Sequence, residues 1–199
     1  KSLTNSIPAG NFSFYDFGFC PFAASRCDDG GETIGFSQVR APAPSGYLGM
    51  QNCLRCRHFV TGPAFLGGLL SITNEVLLES NKHAKKCHKL QDEIQTIQTR
   101  LHELDKVEYL ANIKGESFDT QEREALDAKQ QRLESDYESV TKKVDMLLCD
   151  LQSVYKLTRQ CQLIIQQKEP SPSFQDDSLS LVTMSEADLY LDIEEVSHY

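Results

Sequence analysis

Three features are absent from this 199-residue sequence: tryptophan, any long hydrophobic run, and a signal peptide at its start. Only 40% of the residues are hydrophobic, which leaves limited material for a compact core. No stretch approaches the roughly 18 apolar residues that span a bilayer. We therefore expect a cytoplasmic protein without membrane contact. Because the sequence opens on Lys1, we also expect a fragment of a larger protein.

Proline is also missing between Pro63 and Pro170, so no residue of that type interrupts a helix there. Apolar residues recur over this range at alternating steps of three and four, the pattern of a coiled-coil seam. The first seam comprises Cys87, Leu90, Ile94, Ile97, Leu101 and Leu104, and its extrapolation toward the N-terminus passes through Val76, Leu69 and Leu66. The second comprises Leu133, Tyr137, Val140, Val144, Leu147, Leu151, Val154, Thr158, Cys161 and Ile165.

Signals for a chain reversal separate the two seams. Gly115 suits a left-handed helix C-terminal cap, and Asp119 with Glu122 has the form of a capping box. A short connection between helices makes them antiparallel neighbours. The sequence therefore predicts a mostly α fold, a long antiparallel helical hairpin (coiled coil) with helices at about 62–114 and 119–168.

The beginning of the first helix carries more apolar residues than one seam needs. Phe65, Leu70, Ile72, Leu77 and Leu78 widen the apolar surface beyond a single stripe. We therefore expect this end of the hairpin to be buried on more than one side, under an N-terminal cap.

Residues 1–60 contain most of the turn-forming residues and many aromatic side chains. Alternation from Asn11 to Phe17 predicts one short strand, whereas no long regular element fits the remainder. A segment with so little periodic structure needs added binding energy to become ordered, and a bound metal supplies it. We expect an irregular zinc-binding cap over 1–60, the hairpin over 61–168 and a tail over 169–199.

Cysteine spacing identifies the candidate metal ligands. Cys53 and Cys56 form a C-x2-C pair, which puts two thiolates on one tight turn, as half of a tetrahedral zinc site requires. Cys20 and Cys27 are the nearest candidates for the other half, with His58 as an alternative ligand. The sequence therefore predicts a structural zinc site of Cys20, Cys27, Cys53 and Cys56. Because the C-x6-C spacing of the upstream pair is unusual, a role for the C-x2-C pair alone stays open.

The other cysteines have a simpler interpretation. Seven cysteines are an odd number, and with no secretory signal they argue against a disulfide framework. Cys87, Cys149 and Cys161 fall at apolar positions of the helices, so we expect them to pack as small hydrophobic residues. A turn centred near residue 116 would place Cys87 beside Val144.

The formal charge of −9 is unevenly distributed. Residues 1–90 and 142–168 together sum to +6, whereas residues 91–141 sum to −7. A basic patch beside a zinc module is typical of phosphate contacts, although charged faces of coiled coils are more often only solvated. The candidate nucleic-acid-binding residues are Arg55, Arg57, Lys85, Lys86, Lys89, Lys142 and Lys143.

Residues 169–199 contain eight acidic residues and no lysine or arginine. Apolar residues are scattered among these charges. Such a composition indicates an acidic tail or a short docking segment rather than a domain. We expect it to be a tail, with folding back onto the basic region as a further option.

The run Cys53-Leu-Arg-Cys-Arg-His-Phe-Val-Thr-Gly-Pro-Ala-Phe-Leu66, within residues 47–69, is preceded by Cys27-Asp-Asp-Gly-Gly-Glu32. Together these motifs resemble the C-terminal region of integrases carried by bacterial mobile elements, of the gamma-mobile-trio type. The resemblance covers about residues 18–165. It implies a bacterial protein with a role in DNA integration or recombination, whose catalytic part precedes this segment.

The segment itself lacks a catalytic constellation. None of its five histidines is followed by arginine three residues on, as a tyrosine recombinase would need, and P-loop, G-x-S-x-G and H-E-x-x-H motifs are missing. We expect a non-catalytic recombinase module that associates with DNA or assists assembly. The alternative is a zinc-capped coiled coil that contacts protein partners or itself, without DNA. A Cys56–His58 nucleophile and base pair is less favoured, since residues two apart on a turn rarely align.

Overall fold

The computed structural model describes residues 12–35 and 39–167, so the expected acidic tail lies outside the described residues. The described part is mostly helical, as predicted, and its two long helices pack against each other. No helix in it is both long and apolar enough to cross a membrane. The elements are strands β1 (Ser13–Tyr15) and β2 (Gly18–Cys20), 3-10 turns at Cys27–Asp29, Cys53–Arg55 and Pro63–Phe65, and helices α1 (Leu66–Lys114) and α2 (Gln121–Gln167).

Both helices begin slightly later than the sequence predicts. The start expected near residue 62 is taken up by a 3-10 turn in which Phe65 N–H donates to Gly62 O at 2.9 Å. Pro63 still opens this turn, where its missing N–H leaves no partner unsatisfied. α2 begins at Gln121 rather than at 119.

The turn between the helices follows the predicted chemistry in part. Gly115 adopts a left-handed conformation (φ 73°), and the N–H of Glu116 donates to Ala111 O at 3.0 Å to close the end of α1. Asp119 Oδ1 accepts a hydrogen bond of 3.0 Å from Gln121 N–H. Glu122 instead accepts from Arg100 Nε on α1 at 2.8 Å, so the second half of the predicted capping box is replaced by an ion pair between the helices.

The chain divides into two compact units, each of which contains part of both helices. The first is named the cap unit and comprises residues 1–78 and 146–199. The second is named the arm and comprises residues 79–145.

In the arm, the predicted heptad seam is present. Its buried residues Leu90, Ile97 and Leu104 recur every seven positions along α1, and Val140 is buried on α2. Cys87 Sγ lies 3.8 Å from Thr141 Oγ1, and Arg100 Nε lies 2.8 Å from Glu122 Oε1, so the two segments run antiparallel. Thr141 lies three residues before Val144, the neighbour that the sequence predicts for Cys87.

In the cap unit, residues 12–20 form a hairpin rather than the single strand that the sequence predicts. β1 pairs with β2 in antiparallel register, with Phe14 opposite Phe19. Phe19 also exchanges two backbone hydrogen bonds, of 2.8 and 2.9 Å, with Val60. The cap therefore contains a small antiparallel sheet, where the sequence predicted one short strand in an otherwise irregular segment.

The core of the cap unit joins this sheet to both helices. Phe59 lies 5.3 Å from Phe17, centroid to centroid, and both belong to one buried cluster with Leu54 and residues of the helices. The helical members are Leu69, Ile72, Val76, Leu147, Val154, Leu157 and Cys161. Burial of this cluster stabilises the hairpin and both helices together. Neither the hairpin nor a single helix could shield its apolar side from water alone.

Burial at the start of α1 is more one-sided than the sequence suggests. Ile72 is buried as expected, but Leu70, Leu77 and Leu78 are exposed, so that expectation was wrong. Among the described residues, the cap segments contact the flank of the helices that carries Ile72 and Leu157 and do not cover the opposite flank.

Two residues of α2 that were predicted to be buried are exposed. Cys149 is exposed rather than packed, whereas Cys161 is fully buried as predicted. Ile165 is exposed near the end of the helix, beyond the last buried seam residue. The seam therefore ends at Cys161 and does not continue to the last turn.

Candidate metal centre

The four predicted zinc ligands come from separate backbone segments. Cys20 ends β2, Cys27 opens the first 3-10 turn, and Cys53 opens the second. Cys56 follows that turn, and its N–H donates to Cys53 O at 3.2 Å, as in a tight two-cysteine knuckle. All four side chains line one small cavity, together with residues that include Tyr15, Asn52 and His58. Folding thus brings the upstream and downstream cysteine pairs together, and all four are free thiols.

Burial raises the pKa of the thiols of Cys27 and Cys53, and raises that of Cys56 to about 12. The neighbouring cysteines add to the increase, because each thiolate would repel another nearby. Burial therefore favours neutral thiols. A cation inside the cavity reverses this preference, since metal binding deprotonates coordinating cysteines.

Two polar groups beside the sulfur atoms favour their thiolate forms. The Tyr15 hydroxyl lowers the pKa of Cys53, and the backbone N–H of His58 lowers the pKa of Cys56, each against the larger effect of burial. Burial, followed by the Cys53 interaction, raises the pKa of Tyr15 to about 12, which keeps the hydroxyl protonated as a donor. Donors of this kind orient and stabilise metal-bound thiolates.

The sulfur atoms are not assembled as a coordination shell. Within residues 12–35 and 39–167, no group of three or more His, Cys, Asp or Glu side chains has the geometry to hold a metal ion. The donor set itself, four cysteines around one cavity, is of the type that structural zinc sites use. A bound ion would draw the thiolates inward from the positions described here.

His58, the alternative ligand, is engaged elsewhere. Its ring is buried, and Nε2 lies 2.8 Å from Asp29 Oδ1. Asp29 also accepts from Arg26 at 2.5 Å and from Arg57 at 3.2 Å. Burial opposes ionisation of Asp29, but hydrogen bonds from Arg26 and His58 hold its pKa well below the usual range. His58 therefore secures the Cys27–Asp29 turn beside the cysteines.

The predicted nucleic-acid-binding arginines also hold the fold together. Arg57 donates from Nε to Asp29 O at 3.0 Å, and its guanidinium is largely buried. Arg55 lies with Nη1 3.8 Å from the buried carboxylate of Asp150 on α2. Both side chains therefore have partners within the cap unit, on either side of Cys56.

The predicted lysines are placed differently. Lys85, Lys86, Lys89, Lys142 and Lys143 all belong to the arm, and all five are exposed. Lys86 directly precedes Cys87 and Lys143 directly precedes Val144, both of which are partly buried seam residues. Because equivalent positions of two antiparallel helices fall on the same side of the pair, Lys86 and Lys143 share one flank of the arm.

Sequence reasoning missed one residue that positions the cysteine knuckle. Asp150 is fully buried and accepts hydrogen bonds of 2.6 Å from Tyr47 N–H and 2.8 Å from Asn52 Nδ2. Asn52 directly precedes Cys53, so this carboxylate ties the knuckle to α2. A signal was available, because Asp150 is the one charged residue in the run Met146-Leu-Leu-Cys-Asp-Leu151.

No family model matches this sequence, and neither the curated proteins nor the solved structures yield a match.

Proposed function

We propose that this chain is a zinc-stapled, non-catalytic module of an integrase of a bacterial mobile element, which associates with DNA and assists assembly. The observation that carries the proposal is the convergence of Cys20 and Cys27 with Cys53 and Cys56 on one cavity. The integrase-like run contains the second pair and ends where α1 begins. The resemblance supplies the biological setting, and the cysteine cavity supplies the physical basis for a stapled module.

In this proposal, Cys20, Cys27, Cys53 and Cys56 bind one zinc ion. Four thiolates close the coordination shell, so the ion is structural and has no open position for substrate. It supplies folding energy to a cap whose described residues form two short strands and a few turns. Tyr15 and the backbone of His58 orient the thiolates of Cys53 and Cys56.

DNA association is assigned to the lysines of the arm. Arg55 and Arg57 are bound within the cap unit, whereas Lys85, Lys86, Lys89, Lys142 and Lys143 are exposed. Exposed lysines neutralise phosphates without sequence preference. We therefore narrow the expected phosphate contacts to these five lysines and give the two arginines a structural role.

The second candidate is a protein-interaction module without DNA contact. It is favoured by the acidic balance of residues 91–141, which sum to −7, and by exposed apolar residues on the helices. An acidic helical pair repels the DNA backbone and suits a protein partner better.

Salt dependence separates the two functions. The affinity of the 199-residue chain for a DNA duplex of random sequence is measured at salt concentrations between about 50 and 200 mM. Over this range, affinity that depends on phosphate contacts falls steeply as salt increases. We expect the Lys86→Glu, Lys143→Glu double variant to reduce the slope of log affinity against log salt by about two, roughly one per lost contact. The matched control is Lys106→Glu with Lys114→Glu, two exposed lysines of the arm outside the proposed set.

Binding that is absent, or equally weak in all three proteins, would reject the DNA function and favour the protein-interaction module. Equal loss in the control would indicate a net-charge effect without a defined phosphate-binding surface.

A further inference from the structure

Large apolar side chains are exposed along one regular row of the cap unit. The row consists of Leu70, Leu77, Leu148 and Tyr155, which are 51%, 42%, 46% and 63% exposed. Each of them directly follows a seam residue that is at most 3% exposed, namely Leu69, Val76, Leu147 and Val154. The exposure is therefore a repeated feature of the register rather than four unrelated positions.

Helix geometry places all four on one flank. In an antiparallel pair, residues one position after the seam lie on the same side of both helices, and residues three positions after it lie on the other side. The latter include Ile72, Asp150 and Leu157, and these are the positions that contact the cap segments. The exposed row, which we name the leucine flank, is the side of the two helices that the described cap segments do not cover.

The arm shows that this row is not required by the coiled coil. Its buried seam residues Leu90, Ile97, Leu104 and Val140 are followed by polar residues. These are Gln91, Gln98, Asp105 and Thr141. Large apolar residues at this register position are thus confined to the cap unit, and an exposed apolar row of this kind is a candidate interaction site.

Basic side chains lie beside the Tyr155 end of the leucine flank. Arg159 Nη1 lies 3.4 Å from the Tyr155 hydroxyl, and exposed Lys156 follows Tyr155 on α2. Within the described helices of the cap unit, the carboxylates are Glu75 and Asp150, and both accept hydrogen bonds from cap residues on the other side. The flank therefore suits an apolar segment that carries negative charge.

We propose that the leucine flank binds an acidic amphipathic segment of the same chain, residues 184–196. In that sequence Leu189, Ile193 and Val196 are spaced by four and three, and five carboxylates lie between positions 186 and 195. Such a segment would pack its apolar residues against the leucine flank, and its carboxylates would face Lys156 and Arg159. The inference goes beyond the proposed function and does not depend on it.

The connecting chain is long enough for this contact. α2 ends at Gln167 in the cap unit, and Leu148 lies 19 residues earlier, about 29 Å along the helix at 1.5 Å per residue. Residues 168–183 extend over as much as about 50 Å at 3.3 Å per residue. Every residue of the leucine flank on α2 is therefore within reach.

Hydrogen exchange of the 199-residue chain tests the contact. We expect the amides of residues 184–196 to exchange at least about tenfold more slowly than in a free peptide of the same sequence. The Leu77→Gln, Leu148→Gln double variant should restore the peptide rate, and glutamine keeps the helices intact because the arm carries it at the same positions. Leu78→Gln is the matched control, since Leu78 is exposed but one residue beyond the flank.

A further variant, Arg159→Glu, should speed exchange of residues 184–196 without changing the helical circular dichroism. The proposal is overturned if these residues exchange at the peptide rate in the unaltered chain, or if the double variant keeps their protection. Light scattering would detect a dimer as twice the chain mass. If the unaltered chain is a dimer, the double variant alone is a monomer, and residues 184–196 exchange freely, the flank binds a second copy of the chain and the proposal is also overturned.

Discussion

The buried carboxylate of Asp150 accepts a 2.8 Å hydrogen bond from the side-chain amide of Asn52, although 98 residues separate them in sequence. Asn52 precedes the first cysteine of the knuckle, and Asp150 lies in the second half of α2. The same carboxylate accepts the backbone N–H of Tyr47 at 2.6 Å. One residue on the returning helix thus fixes both ends of the loop that leads into the candidate metal centre.

Replacement of Asp150 tests this role. We expect Asp150→Ala to lower the free energy of unfolding by about 2–4 kcal/mol, because the Tyr47 N–H and Asn52 amide lose their buried acceptor. Urea denaturation followed by circular dichroism measures the change. Asp145→Ala, at an exposed position of the same helix, is the control and should change stability by less than about 0.5 kcal/mol. An equal effect of both variants would contradict the role of Asp150.

Zinc content is the next prediction. We expect about one zinc per chain by elemental analysis, bound by Cys20, Cys27, Cys53 and Cys56. Cys56→Ser should abolish stoichiometric binding, whereas Cys149→Ser should retain it because Cys149 is exposed on α2. A chelator should lower the melting temperature of the unaltered chain and leave that of Cys56→Ser unchanged. A metal-free protein with full thermal stability would contradict the zinc site.

The Tyr15 hydroxyl provides a finer test of the same centre. We expect the hydroxyl to donate a hydrogen bond to the zinc-bound thiolate of Cys53, because it already lowers the pKa of that thiol. Tyr15→Phe should therefore weaken zinc affinity by about 10-fold to 100-fold, the usual effect of removing a group that orients a metal ligand. Competition with a chromogenic chelator gives the affinity. Tyr109→Phe, an exposed tyrosine on the arm, should have no effect. Unchanged affinity in Tyr15→Phe would mean that this hydrogen bond is not made to the metal-bound thiolate.

The register of the arm is checked by a single substitution. Thr141 lies opposite Cys87, with 3.8 Å between Oγ1 and Sγ, so Thr141→Cys should form a disulfide within one chain under mild oxidation. Mass spectrometry of peptides from unreduced protein identifies the bond. Thr99→Cys, an exposed position on α1, should remain unpaired with Cys87. Disulfides between separate chains only would show that the helices pair in trans.

The sequence was sufficient for features that depend on local spacing. Steps of three and four defined both helices, Gly115 marked the end of α1, and the cysteine pairs that were proposed as partners do line a common cavity. Each of these follows from residues that are close in sequence or from a repeated period. The zinc ion and the DNA contacts remain predictions.

Features that depend on distant segments were not predictable in the same way. The heptad period indicates that Leu70 and Ile72 can both be buried, but not that the cap covers only the flank of Ile72. The engagement of Arg55 and Arg57 likewise depends on Asp150 and Asp29, which lie on other segments. A charge count treats all cations alike, whereas the fold separates those that have internal partners from the exposed lysines of the arm.

The adjacent glycines at the start of α1 face different constraints. A methyl group at Gly68 would collide with the backbone of Asp16, whereas one at Gly67 would meet nothing within 4 Å. Alanine is therefore excluded from Gly68 by the loop between β1 and β2, but at Gly67 it should favour the helix by about 1 kcal/mol. Random mutagenesis followed by selection for thermal stability should therefore recover substitutions at residue 67 but only glycine at residue 68. Two identical neighbouring residues would thus differ completely in their tolerance of substitution.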